Sequence, residues 1–130
     1  MMGEKYLTKP RQYAAVYGRG RSWTSNSIVI KALPNGLDFS RCGFSVGKRV
    51  GKAVVRNLVK RRLREITRSM PLEPGWDIIF IARSASAQAG YAGLKRTVEY
   101  LLDRAHLLPM ARGTDGVPGE NSTDVADTAG

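Results

Sequence analysis

Residues 48–68 read K-R-V-G-K-A-V-V-R-N-L-V-K-R-R-L-R-E-I-T-R. The stretch sets Lys48, Arg49, Lys52, Arg56, Lys60, Arg61, Arg62, Arg64 and Arg68 against one acid, Glu65. Gly47 and Gly51 precede its regular part and nothing breaks it before Pro71, which predicts one helix over 52–69. At about 100° per residue, Val55, Leu58, Val59, Leu63, Ile66 and Met70 gather on one side. The other side collects Arg56, Asn57, Lys60, Arg61, Arg64 and Arg68, spaced three or four apart and therefore surface neighbours. Like charges so placed repel by roughly a few tenths of a kcal/mol per pair. Such a face makes sense opposite a polyanion. Arg62 falls near the apolar seam, where its stem can pack while its head reaches water. Asn57 lies among four cations; its amide both accepts and donates, so it can orient an arginine or bond a ribose or base edge.

The 130 residues suffice for one domain with a real core. The formal charge of +10 is unevenly spread. Residues 1–108 hold 20 bases and 7 acids, a net +13, while from 109 onward Arg112 stands against Asp115, Glu120, Asp124 and Asp127, a net −3. The reading is a basic domain over 1–108 followed by an acidic tail over 109–130, expected to be disordered from its polar, small-residue composition. A pI near 10.3 points to nucleic acid or an anionic membrane surface. No apolar run approaches the ~20 residues needed to span a bilayer, and the start lacks a signal-peptide core. A cytoplasmic protein is expected, with no membrane association. Cys42 and His106 are the single cysteine and histidine, which excludes an internal disulfide, a Cys-based metal site and a two-His zinc motif.

Before the basic stretch, Thr8 can cap a short helix through about Tyr17, with Pro10 in its first turn and Gly18 and Gly20 ending it. Tyr13 and Tyr17 share a face of that helix. Two readings stand for them: core packing, or an aromatic surface on which an unpaired base stacks. Residues 19–23 form a basic, turn-like segment or short strand. Residues 27–33 are rich in β-branched residues, and Pro34-Asn35-Gly36 is a turn signal. Residues 41–47 predict a strand that could return antiparallel to the first. It carries Cys42, Phe44 and Val46 on one face and Arg41, Gly43, Ser45 and Gly47 on the other. Cys42 reads as a small buried hydrophobe. After the basic helix, W-D-I-I-F-I-A at 76–82 reads as a strand buried on both faces. Residues 91, 94, 98, 101, 105 and 108 then repeat at three and four, a helix that Pro109 ends. The expected fold is α+β: a two-layer sandwich in the order α-β-β-β-α-β-α, with helices on a mostly antiparallel sheet.

At this point the chain resembles the protein component of bacterial ribonuclease P. The resemblance rests on the signature R-N-x-x-K-R-x-x-R, here Arg56, Asn57, Lys60, Arg61 and Arg64. Three outlying pieces fall in family order: Tyr13 and Tyr17 followed by Gly20; R-C-G-F-S-V-G-K-R-V-G before the helix; and D-I-I-F-I-A-R at 77–83. It covers residues 5–108. It implies a fold like the second domain of ribosomal S5, with a left-handed β-α-β crossover around the signature helix, against the usual right-handed rule. It implies RNA binding by Lys48, Arg49, Lys52, Arg56, Asn57, Lys60, Arg61, Arg64 and Arg68. It implies a cleft for the single-stranded 5′ leader of precursor tRNA, lined by Tyr13, Tyr17 and Lys31. The implied partners are the catalytic RNA and precursor tRNA, with no obligate protein partner. Mg²⁺ is implied as a cofactor held mainly by RNA and substrate, so no residue of this chain is catalytic. The chain departs from the family pattern in its Tyr-Tyr pair, in Lys31 where an aromatic residue often contacts the leader, and in the acidic tail.

The residues agree with that implication. The domain's acids are Glu4, Asp38, Glu65, Glu73, Asp77, Glu99 and Asp103, scattered rather than convergent as a two-metal nuclease requires. Three rivals remain: a non-catalytic RNA-binding protein of ribosomal type, an independent nuclease, and a DNA-binding helix. Exposed tyrosines favour the leader cleft; buried ones favour the ribosomal type.

Overall fold

A computed structural model describes residues 6–109. The expected acidic tail from 110 onward, and the first five residues, lie outside the described residues. The order is α1 (Pro10–Arg19), β1 (Arg21–Thr24), β2 (Ile28–Pro34), β3 (Arg41–Val46), α2 (Ala53–Arg68), β4 (Trp76–Ala82) and α3 (Gly90–Arg104), with single 3₁₀ turns at Lys48–Val50 and Ser84–Gln88.

The strand with apolar residues on both faces takes an inner place. β4 pairs antiparallel with β2 and parallel with β3, giving the order β1-β2-β4-β3. The strand at 41–46 therefore does not return antiparallel to its predecessor. Pro34-Asn35-Gly36 is a turn but closes no hairpin. Asn35 N–H donates to Gly75 O at 2.9 Å, and its Nδ2 donates to Phe39 O and to Asp77 Oδ1. The loop is thereby fastened across the start of β4, and the chain is delivered to β4's far side.

The even-numbered side chains of β4, Ile78, Phe80 and Ala82, face α2 and α3 together with Ile28, Ile30, Ala32 and Cys42. Val59, Leu63 and Ile66 of α2 and Leu94, Val98, Leu101 and Leu102 of α3 close that core. Phe80 is fully buried and stacks on Phe44, ring centroids 5.8 Å apart. Full burial of a side chain of this size contributes roughly 1.5–3 kcal/mol. The odd-numbered face of β4 receives the short α1, where Val16 and Leu7 pack with Ile79.

The crossover β3-α2-β4 is left-handed, as the hydrogen bonds show. Arg83 N–H donates to Ser27 O at 2.8 Å, so odd residues of β4 bond toward β2 and even ones toward β3. In a strand of L-residues running upward, peptide groups of side chains facing the viewer point right. Seen from the α2 side, β3 thus lies to the right of β4, the reverse of the common crossover.

Four local expectations change. Lys9, not Thr8, occupies the cap of α1; Gln12 Oε1 accepts from Thr8 N–H at 2.8 Å and Lys9 N–H at 2.9 Å, which replaces a threonine cap. Tyr91 is exposed, and Leu58 of α2 is half-buried. α3 ends at Arg104, before Leu108, because the chain turns at His106, whose φ is 61°. Leu107 N–H reaches back to Leu102 O and His106 N–H to Asp103 O, a Schellman closure. A non-glycine residue in this left-handed position costs about 1 kcal/mol. His106→Gly should therefore raise the thermal midpoint by roughly 4–8 °C; an unchanged midpoint in a calorimetric scan would show that the imidazole compensates.

Candidate nucleic-acid interface

The rotation of α2 is fixed by what it buries. With Val59, Leu63, Ile66 and Thr67 in the core, the stripe Arg56, Lys60, Arg64 emerges half-buried on the flank beside β3. Asn57 and Arg61 point further out and are exposed, and Arg68, four residues beyond Arg64, continues the stripe into the last turn, where it is exposed. Lys48 and Arg49 are exposed on the 3₁₀ turn that leads into the helix, and exposed Lys52 is its N-cap. Arg56 Nε donates to Gly51 O at 3.1 Å, tying the 3₁₀ turn to the helix. No acid stands in the first turn of α2, so its unpaired N–H groups add to the positive field there. Among the described residues, Lys48, Arg49, Lys52, Lys60 and Arg61 have no carboxylate partner.

The edge of β3 extends this surface. Leu7 N–H donates to Cys42 O at 2.9 Å, and Tyr6 pairs with Cys42 in a parallel bridge, so the lead-in lies along the edge strand. Tyr6 meets Phe44 with ring centroids 6.1 Å apart, and the Arg64 guanidinium lies 5.9 Å from the centre of the Tyr6 ring. Tyr13 approaches from α1 over Gly43, where an added Cβ would come 2.8 Å from its hydroxyl. Glycine there is what lets the ring lie on the strand. The result is one groove of about 470 Å³, lined by Tyr6, Tyr13, Phe44, Lys60, Arg64 and Arg68 with Leu7 and Cys42 at its base. Aromatic rings and cations converge in it, the combination that holds a single strand by stacking and charge.

The structure brings Tyr13 together with the basic helix. Tyr17 stands 42% exposed one turn further along α1. Lys31 is set apart: it is half-buried on the α1 side of β2, paired with Ile79, which in turn pairs with Gly43. Ile79, buried under Val16, stands between Lys31 and the groove. Tyr6 and Phe44 were missed by sequence reasoning. Phe44 was legible as a face of its strand, but the long-range bridge that carries Tyr6 to it has no local signal.

Cys42 lies at the groove base, and burial, with a smaller contribution from Asp77, pushes its thiol up to about 12. The unfolded thiol ionises from about pH 8.5, so the folded state binds the extra proton between that value and about 12. Stability attributable to Cys42 should fall as pH rises through that window. Iodoacetamide at pH 8 should leave Cys42 unmodified in the folded protein and alkylate it in denaturant; rapid labelling of the folded protein would contradict the burial.

Glu65 is the one acid on α2, and the carboxylates of the described residues do not gather at any one place. Asp77 accepts from Arg41 Nε and Nη2, both at 2.8 Å, and Glu99 is 3.8 Å from Lys95. Among the described residues no three of His, Cys, Asp and Glu converge as a metal site, and no helix is long and apolar enough to cross a membrane.

Fold and surface define a small α+β domain that presents a cationic helix and an aromatic groove along one sheet edge. The family model described as Ribonuclease P matches residues 1–106. The ribonuclease P protein component of Dehalococcoides mccartyi strain CBDB1 is 46% identical over 102 residues, covering 78% of this chain and 85% of that protein. The RNase P protein of Staphylococcus aureus superposes with a TM-score of 0.73 at 28% identity, covering 80% of this chain and 97% of that one. The RNase P protein of Thermotoga maritima superposes with a TM-score of 0.71 at 29% identity, covering 78% and 97%. The chain belongs to the ribonuclease P protein family.

Proposed function

We propose that this chain is the protein subunit of a cytoplasmic ribonucleoprotein endoribonuclease that removes the 5′ leader of precursor tRNA. In this reading α2 docks on a catalytic RNA through Lys48, Arg49, Lys52, Arg56, Asn57, Lys60, Arg61, Arg64 and Arg68. The groove beside it holds the single-stranded leader, with bases against its half-buried rings and phosphates near Lys60 and Arg64. Tyr13 and Tyr17 line the approach from α1, and Lys31 acts as a separate cation on the sheet. The observation that carries the reading is that Tyr13, Tyr6 and Phe44 share one groove with Lys60 and Arg64. Buried tyrosines would have favoured a structural RNA-binding protein of ribosomal type; Tyr17 is exposed and Tyr13 half-buried, and neither is in the core.

Mg²⁺ belongs in this reading to the RNA and its substrate. The separated carboxylates of the described residues do not fit a resident ion, and no step is assigned to one on this chain. The chain's part is binding: it orients the leader and neutralises phosphate charge where two RNAs meet. Reconstitution with a bacterial ribonuclease P RNA, following leader removal from precursor tRNA, tests the proposal. Addition of the protein should accelerate cleavage most at low Mg²⁺, where phosphate repulsion is least screened. Cleavage by the protein without RNA, or no effect of the protein at any Mg²⁺ concentration, would contradict it.

A further inference from the structure

A second concave surface lies on the same face of the sheet as α2, toward the other edge, and one of its walls, the 3₁₀ turn Ser84–Gln88, packs against the Lys48–Val50 turn. β1 and β3 are the two edges of the sheet, three strand spacings or ~14 Å apart. Near β1, the turn between β1 and β2, the 3₁₀ turn Ser84–Gln88 and α3 enclose a groove of about 630 Å³. None of its lining residues is acidic. Asn26, Gln88, Arg96, Thr97 and Tyr100 present side chains to it. Among the described residues, Asn26, Gln88, Arg96 and Thr97 have no side-chain hydrogen-bond or ion-pair partner, so their capacity is unspent.

Residues 96, 100 and 104 step by four along α3 and form one stripe. Tyr100 is 47% exposed, and the Arg104 guanidinium lies 5.7 Å from its ring centre. The helix keeps its acids on another stripe, where Glu99 pairs with Lys95 at 3.8 Å. Gly93 is the low point of the wall: a Cβ there would meet Ala89 Cβ at 3.8 Å and nothing closer. The facing turn is braced. Ser25 Oγ donates to Ile28 O at 2.8 Å and accepts from Ile28 N–H at 3.0 Å, and Arg83 Nη1 donates to Ser25 O at 3.0 Å.

We propose that this groove binds a segment of single-stranded RNA distinct from whatever α2 and the Tyr13 groove hold. A base would stack on Tyr100. Arg96 would take the adjoining phosphate, and Asn26, Gln88 and Thr97 offer donors and acceptors to base edges or a ribose hydroxyl. A stacking ring and the Arg96 guanidinium in one groove, with no carboxylate lining it, is the chemistry of a nucleotide and not of a basic or purely apolar partner.

The test is a titration of the full chain, followed by amide chemical shifts, with short oligouridylate and oligoadenylate. Shifts are expected at Asn26, Gly93, Thr97 and Tyr100. They should persist when Lys60, Arg61 and Arg64 are alanine, which separates this groove from the basic helix. Tyr100→Ala should weaken the binding that these shifts report by roughly five-fold to hundred-fold. Gly93→Leu should abolish it by filling the groove while the thermal midpoint holds or rises, since leucine suits a helix better than glycine. Groove shifts that vanish in the α2 variant would overturn the proposal. So would unchanged affinity in both Tyr100→Ala and Gly93→Leu, or shifts at Arg96 alone that inorganic phosphate reproduces.

Discussion

Alanine at Lys60, Arg61 and Arg64 together is expected to weaken binding to a bacterial ribonuclease P RNA on the order of a hundredfold near physiological salt. The estimate follows from counterion release. Each lost phosphate contact removes about 0.9 from the slope of log affinity against log salt, so three contacts remove roughly 2.7. The fold should survive, because Arg61 is exposed, Lys60 and Arg64 are half-buried, and the core of α2 is made by Val59, Leu63 and Ile66. A melting curve like the parent's, with a flatter salt dependence, is the expected pair of results. A parental slope would mean that α2 does not dock on RNA.

The second large effect is on stability. Asp77 is 6% exposed at the start of β4 and collects three hydrogen bonds, two from Arg41 and one from Asn35 at 2.9 Å. These join the start of β4 to β3 and to the loop after β2. Arg41 is held above its ordinary pKa, first by its hydrogen bond to Asp77 and further by the charge of that carboxylate. Asp77→Ala leaves a guanidinium, whose side chain is 22% exposed, without its counter-charge. Breaking a largely buried pair in this way costs about 3 kcal/mol. For a domain of this size that lowers the thermal midpoint by roughly 10–20 °C. Pairing the change with Arg41→Met should recover much of the loss, because the unpaired charge is then gone. Equal midpoints for the single and double variants would place the cost in Asn35 and the loop instead.

Much of the fold could be read from local pattern. The helix expected over 52–69 is α2, Ala53–Arg68, because its apolar seam and its terminators are both local signals. The strand expected over 76–82 is β4 with the same bounds, because an apolar run between a Pro-Gly turn and a polar segment has few alternatives. The partner of β3 could not be read that way. Pro34-Asn35-Gly36 looks like a hairpin signal, and the better partner for residues 41–46 lies more than thirty residues later, in a strand that gains burial on both faces only by sitting inside the sheet. The end of α3 was missed because periodicity continues to Leu108, while the backbone turns at His106. In the site, the cationic stripe followed from spacing. Its union with Tyr6 and Phe44 did not, since it depends on a backbone bond from Leu7 to Cys42 across the sheet edge.

The most direct test of the account compares two substrates on one complex. The chain, reconstituted with a bacterial ribonuclease P RNA, would be titrated with precursor tRNA and with mature tRNA, as parent and as Tyr13→Ala and Tyr17→Ala. The account predicts that a tyrosine in contact with the leader loses ~1–3 kcal/mol of affinity for the precursor when its ring is removed, while mature tRNA binds as before. Equal losses for both tRNAs, or none for the precursor in either variant, would contradict a leader-binding groove and leave only the docking helix.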